Sequence, residues 1–275
     1  MKMQFGLAHL TALSCTPPEL TYIASEVGYD FVSPRLILMG NEPNPDCDLT
    51  RNPAMLRKTK AALSETGIRV HDVELARIFQ GVDLNSYLPA FEIAAELSAR
   101  HVLSSIWTPD LRYATDRFQE LCDLAAPFGL TVNLEFVSWA DVKDLKSVMD
   151  VLTNAQRENV GILVDVLHFH RSKVQLPELD LVPRRWFNFL HLCDGPPEIP
   201  TSKEDLIKTG REERLYLGEG GIDVASIVSR LPEVPYIIEL PNAQRIKEFG
   251  ALEHARRCLQ TARSYLESNL PQASG

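Results

Sequence analysis

Short runs of β-branched and apolar residues alternate along the chain with longer stretches whose apolar positions recur every three or four residues. The short runs predict strands at 4–8, 31–34, 69–75, 102–107, 131–136, 161–166, 187–193 and 236–240. The longer stretches predict helices at 18–27, 53–65, 87–98, 116–127, 141–153, 224–231 and 247–266, and a less regular one within 173–185. Local start and stop signals support several of these. Thr16-Pro17-Pro18-Glu19 sets a cap residue and prolines before a first-turn acid, and Ser138 to Asp141 has the shape of a capping box. Gly28, Gly67 and Gly129 stand where a helix must stop before the next strand.

Strands that alternate singly with helices imply a parallel sheet covered on both faces, and eight is the number that closes such a sheet. No GxGxxG follows the first strand, which argues against an open doubly wound sheet. The expected fold is therefore a single-domain (β/α)8 TIM barrel over 1–268, with 269–275 as a disordered tail. Two long excursions, 36–53 after strand two and 193–216 after strand seven, are of a length usually reserved for function.

Composition narrows the function classes. A chain of 275 residues with 45% hydrophobic residues buries a core without disulfides or a structural metal, so a bound metal would serve chemistry. The net charge of -9 repels nucleic acid and anionic membranes, and Arg184-Arg185 and Arg256-Arg257 read as solvated helix faces. Five scattered cysteines without a CxxC pair indicate reduced thiols, and no run approaches the length of a membrane span. The expectation is a cytoplasmic protein that binds neither nucleic acid nor membrane.

In a TIM barrel, chemistry sits at the C-terminal ends of the strands. Strand five ends on Glu135, strand six on Asp165 and strand eight on Glu239, with His191 near the end of strand seven. Any one of these alone reads more readily as a salt-bridged or solvent-facing strand end. Four on consecutive strands favour a divalent ion, because charge at the end of an apolar strand is costly unless paired or ligated. One imidazole with three carboxylates suits Mn, Mg, Co or Zn. Arg35, Glu74 and Trp107 end strands two, three and four and line the expected mouth. Arg35 with Arg214 and Arg171 would suit an acidic or phosphorylated substrate, although each reads equally as a structural ion-pair partner, and Trp107 as packing.

The stretches Asn133-Leu-Glu135-Phe, Leu163-Val-Asp165-Val-Leu-His168, His191-Leu-Cys-Asp194, Ile238-Glu239 and Arg214-Leu-Tyr-Leu-Gly218-Glu-Gly220 resemble the xylose isomerase-like barrels of sugar phosphate isomerases and epimerases. That superfamily also holds ketose 3-epimerases, hydroxypyruvate isomerases, inosose and dehydroshikimate dehydratases, and a DNA-repair endonuclease. The resemblance implies that Glu135, Asp165, His191 and Glu239 ligate one metal ion, and that His168 and Arg214 bind substrate oxygens. It further implies that Glu135 and Glu239 move the proton on either face of an enediolate. Proton return to the opposite face is epimerisation, return to the neighbouring carbon is isomerisation, and loss of a β-hydroxyl is dehydration.

The expected activity is that of a metal-dependent isomerase or epimerase of a small polyhydroxylated carbonyl compound. Dehydration of a keto-cyclitol or dehydroshikimate-like substrate is the alternative, and a non-catalytic sugar-binding barrel a third reading. The endonuclease branch needs further histidines after strand seven, and 193–221 contains none. Related barrels are often dimers or tetramers, so a homo-oligomer is expected.

Overall fold

The computed structural model describes residues 3–39 and 47–270. Nine strand segments run parallel in the order β3-β2-β1-β9-β8-β7-β6-β5-β4. They are β1 (Phe5–Ala8), β2 (Phe31–Ser33), β3 (Arg69–Val70), β4 (Asp72–Phe79), β5 (His101–Trp107), β6 (Thr131–Glu135), β7 (Val160–Asp165), β8 (Phe187–Leu192) and β9 (Tyr236–Ile238). β3 and β4 are one stave interrupted at His71: β3 pairs with β2, β4 pairs with β5, and a parallel bridge from Arg35 to Glu74 joins the β2 side to β4. The eight expected strands are thus the eight staves of a TIM barrel.

The helices that cover the barrel are α1 (Pro17–Val27), α2 (Pro53–Thr66), α3 (Leu88–Glu96), α4 (Leu111–Ala125), α5 (Leu145–Ala155), α6 (Val166–Arg171), α7 (Lys203–Glu212), α8 (Val224–Arg230) and α9 (Ala243–Asn269). Their apolar faces and the outward residues of the strands form the main core. Helix α1 starts at the expected place, where the Glu19 carboxylate accepts from both the amide and the hydroxyl of Thr16, and Gly28 ends it with φ 94°, where a side chain would be strained.

Several boundaries differ from the periodicity reading, each for a local reason. The third stave continues past Leu75 to Phe79. Helix α4 begins at Leu111 because Asp110 caps it, five residues before the expected start. Helix α5 begins at Leu145 under an Asp144 cap, so the Ser138–Asp141 motif starts no helix and belongs to the loop above β6. The excursion at 193–216 carries α7, and the start of that at 36–53 includes residues 40–46, outside the described set. The tail expected at 269–275 falls on residues 271–275 outside the described set, with Asn269 the last residue of α9. No helix among the described residues is long and apolar enough to cross a membrane.

Candidate active site

Residues two apart on a strand share a face. Ala8, Leu103, Leu163, Phe189 and Ile237, with Leu75 against them, form a small apolar cluster separate from the main core, the plug inside the barrel. Leu163, Phe189 and Ile237 each precede a polar residue by two positions, namely Asp165, His191 and Glu239. The same pleat that buries the plug therefore lifts these three side chains one layer above it, where Glu135 joins them from β6. Strand register sets Asp165 opposite His191, while Glu135 stands opposite Leu163, level with the plug, and its side chain meets the cluster from there. The four side chains expected as ligands do converge. One ligand atom from each lies within 4.8 Å of all the others, and all four residues are buried.

The spacing inside this cluster suits an ion better than direct hydrogen bonds. His191 Nδ1 stands 3.9 Å from Glu135 Oε1, 3.9 Å from Asp165 Oδ2 and 3.6 Å from Glu239 Oε2. These are too long for hydrogen bonds. They fall within the separation of two atoms that each sit about 2.0–2.2 Å from a shared ion. Both nitrogens of His191 and Glu135 Oε1 are buried with no hydrogen-bond partner, a costly arrangement unless something else fills the gap. Electrostatics points the same way. Burial, followed by the Glu239 charge, pushes the Glu135 carboxyl well above its ordinary range. Burial disfavours a charged His191, yet Glu239, Glu135 and Asp165 outweigh it and raise the imidazole to about 10. The residues fit a divalent metal with one nitrogen and up to three carboxylate donors.

Arg214 braces this cluster from the segment that follows α7. Its side chain is 2% exposed, and Nη1 donates to Asp165 at 2.6 Å while Nη2 pairs with Glu239 at 2.9 Å. Nε donates to the Gly210 carbonyl and Nη1 also to the Glu239 carbonyl. The Glu212 or Glu213 partner that its sequence position allows is not the one it takes.

Above the cluster opens a cavity of about 170 Å³. That is below the ~300–1,000 Å³ of pockets for drug-sized ligands, so its occupant is small. Every expected substrate-binding residue lines it: Arg35, Glu74, Trp107, His168 and Arg214, together with Glu135 and Glu239. Arg35 and Glu74 form a buried pair at 3.1 Å, so the Arg35 charge is answered within the wall. Trp107 Nε1 donates to Ser105 Oγ at 2.8 Å, which fixes the indole. His168 sits in α6, whose N-terminus the Asp165 side chain caps by accepting from the Leu167 and His168 amides. One carboxylate therefore serves as helix cap, Arg214 partner and candidate ligand. Burial lowers His168 to about 4, and its Nδ1 accepts from the Ser138 amide at 3.3 Å, so a neutral ring carries its proton on Nε2. Arg171 takes no part in the cavity wall; it donates to the Pro196 and Glu198 carbonyls.

Among the wall residues that escaped the sequence reading are Arg77, Trp139 and Arg211. Arg77 was hidden by ending the third strand too early. Trp139 lay in the false helix start, and Arg211 on α7, inside an excursion without a predicted element. The Trp139 ring packs edge-on against His168 at 4.7 Å. Gly210 lies under it so closely that a Cβ there would sit 2.4 Å from Cη2.

The profile of the xylose isomerase-like TIM barrel family matches residues 22–262. The chain belongs to that family. It is 26% identical over 125 residues to the inosose isomerase of Bacillus subtilis, a match that covers 45% of this chain and 43% of the relative. It is 22% identical over 242 residues to a 3-dehydroshikimate dehydratase of Pseudomonas aeruginosa, covering 82% of this chain and 36% of that one. The matched stretches thus span about two fifths of these curated relatives. Among solved structures, the IolI protein with a bound zinc atom superposes with a TM-score of 0.79 at 18% identity, covering 98% of this chain and 100% of that one. At that identity the likeness carries the fold alone.

Proposed function

We propose that this xylose isomerase-like barrel is a metal-dependent enzyme that isomerises or epimerises a small polyhydroxylated carbonyl compound. The observation that carries the reading is the convergence of Glu135, Asp165, His191 and Glu239 into one buried, cation-deficient cluster at the base of a small cavity. The isomerase relative and the zinc in the structural neighbour support it. A divalent ion held there would polarise a carbonyl and the adjacent hydroxyl and so acidify the C–H bond between them.

Glu135 and Glu239 come from staves three places apart around the barrel, so each addresses a different side of a molecule in the cavity. They are assigned as the pair that removes and returns the proton. Arg214 holds the Glu239 carboxylate ionised and in place, and the Asp165 carboxylate with it. His168, with Nδ1 fixed by Ser138, presents Nε2–H to a substrate oxygen. The plug of Leu163, Phe189 and Ile237 closes the floor to water.

A second reading has its own support. The match to the dehydratase spans 242 residues, against 125 for the isomerase, and loss of a β-hydroxyl begins with the same proton abstraction. Incubation with Mn²⁺ and a panel of ketoses, 2-keto-inositols and dehydroshikimate in D2O, followed by NMR, separates the two. Solvent deuterium at a carbon next to the carbonyl, with the hydroxyls retained, supports isomerase or epimerase. Loss of a hydroxyl supports dehydratase. Glu239→Gln is expected to abolish either reaction, and full activity in that variant refutes its assigned role.

A further inference from the structure

Two cations in the cavity wall have no place in the proton-transfer machinery. Arg77 lies two residues beyond Leu75 on β4, and Arg211 sits at the end of α7 on the exposed rim. The other wall arginines are committed: Arg35 to Glu74 at 3.1 Å, and Arg214 to Asp165 and Glu239. Neither Arg77 nor Arg211 has an ion-pair partner among the described residues. Glu212 also borders the cavity and offsets part of this charge without pairing to either. Burial, reinforced by the charges of Arg35 and Arg77, holds the Arg211 guanidinium below its usual range. Arg35, Arg77 and Arg211 thus line one cavity, near enough for their charges to act on one another.

A doubly charged ion held by the cluster would, together with Arg214, answer its three carboxylates, and Arg35 is answered by Glu74. Among the described residues, Arg77 and Arg211 set against Glu212 then leave a positive surplus at the mouth, although the whole chain carries -9. Unpaired guanidinium groups that share a cavity bind carboxylate or phosphate oxygens through charge-assisted hydrogen bonds.

We infer that the substrate carries an anionic group, a carboxylate or a phosphate, at the end facing the rim, where Arg77 and Arg211 hold it. This rests on the reading of the cluster as a metal-dependent active site and adds the charge of what enters it. The metal end then grips the carbonyl and hydroxyl while the rim fixes the far end, which sets the reacting C–H between Glu135 and Glu239.

Three sugars that differ at C6 alone provide the test: D-fructose, D-fructuronate and D-fructose 6-phosphate. Their affinities are measured by calorimetry on Mn²⁺-loaded wild type and on the Arg77→Gln/Arg211→Gln double variant. At least one acid is expected to bind wild type roughly tenfold or more tighter than D-fructose, the scale of one charge-assisted hydrogen bond. That preference should shrink as salt is raised and fall to about one in the double variant. Which acid wins identifies carboxylate or phosphate as the group. The inference is overturned if D-fructose binds as well as both acids, if neither acid binds tighter than about 1 mM, or if the preference survives in the double variant. A parallel Mn²⁺ titration keeps the two claims apart. Wild type that takes up no metal sinks the underlying enzyme reading, whereas a metal-loaded protein without charge preference sinks the anionic subsite alone. Metal uptake by the double variant shows that its cluster and fold are intact.

Discussion

Replacing Arg214 with methionine removes the one guanidinium that touches two candidate ligands while keeping much of the side chain's apolar volume. In the metal-free protein the substitution strands Asp165, 0% exposed, and Glu239, 6% exposed, without the cation that pairs with both. Removing one partner of a buried ion pair typically costs about 3–5 kcal/mol. At the ~2 °C per kcal/mol appropriate to a chain this long, the melting temperature should fall by about 6–10 °C. A metal ion changes the outcome, because its two charges take over compensation of the same carboxylates. In saturating Mn²⁺ the loss should shrink to less than half of that in EDTA. The assay is thermal unfolding followed by circular dichroism, for wild type and Arg214→Met, each with EDTA and with Mn²⁺. A variant that melts within about 1 °C of wild type in EDTA refutes the structural claim that Arg214 neutralises the cluster. Equal losses with and without metal refute the claim that ion and guanidinium answer the same carboxylates.

Gly210→Ala tests the mouth without touching a ligand. A Cβ 2.4 Å from the Trp139 ring forces that ring toward His168, so stability should drop by about 1–3 kcal/mol and sugar binding should weaken while metal uptake is retained. Unchanged sugar affinity in a folded variant would argue against Trp139 as part of the binding wall. The thiols offer an independent check on the core. All five cysteines are buried, and burial first of all pushes Cys15 up to about 11 and Cys122 to about 12, with Cys193 and Cys258 raised as well. A disulfide reagent at pH 8 should therefore find no reactive thiol in the native protein and five in denaturant. Rapid native labelling of any of them would contradict the packing described.

The barrel and its four central residues were legible because a strand declares itself twice, by apolar content and by where that content stops. Leu-Val-Asp165, Phe-Leu-His191 and Ile-Ile-Glu239 each read as two apolar residues and a polar end, and the pleat turns that reading into a plug with a charged layer above it. Residues whose position depends on a loop or on an element's exact end were not legible. Arg77 sits two residues past the expected strand end, a half-buried cavity residue between Ala76 and Ile78, which are buried in the main core. Trp139 sits in a loop that borrows the local chemistry of a helix cap. Arg211 lies on α7, a helix mostly exposed and therefore almost without an apolar stripe to betray it. Pairing was the least accessible property of all. Arg214 stands beside Glu212 and Glu213 in sequence but is held in space by Asp165 and Glu239 from two different staves.

The central claim is that Glu135, Asp165, His191 and Glu239 form one site for one divalent ion. Native mass spectrometry of protein stripped with EDTA and reloaded with Mn²⁺ or Zn²⁺ tests it directly. One ion per chain is expected in wild type, and none at the same free metal concentration in a His191→Ala/Asp165→Asn variant that remains folded. Wild type that emerges metal-free, or a double variant that still retains its ion, contradicts the account.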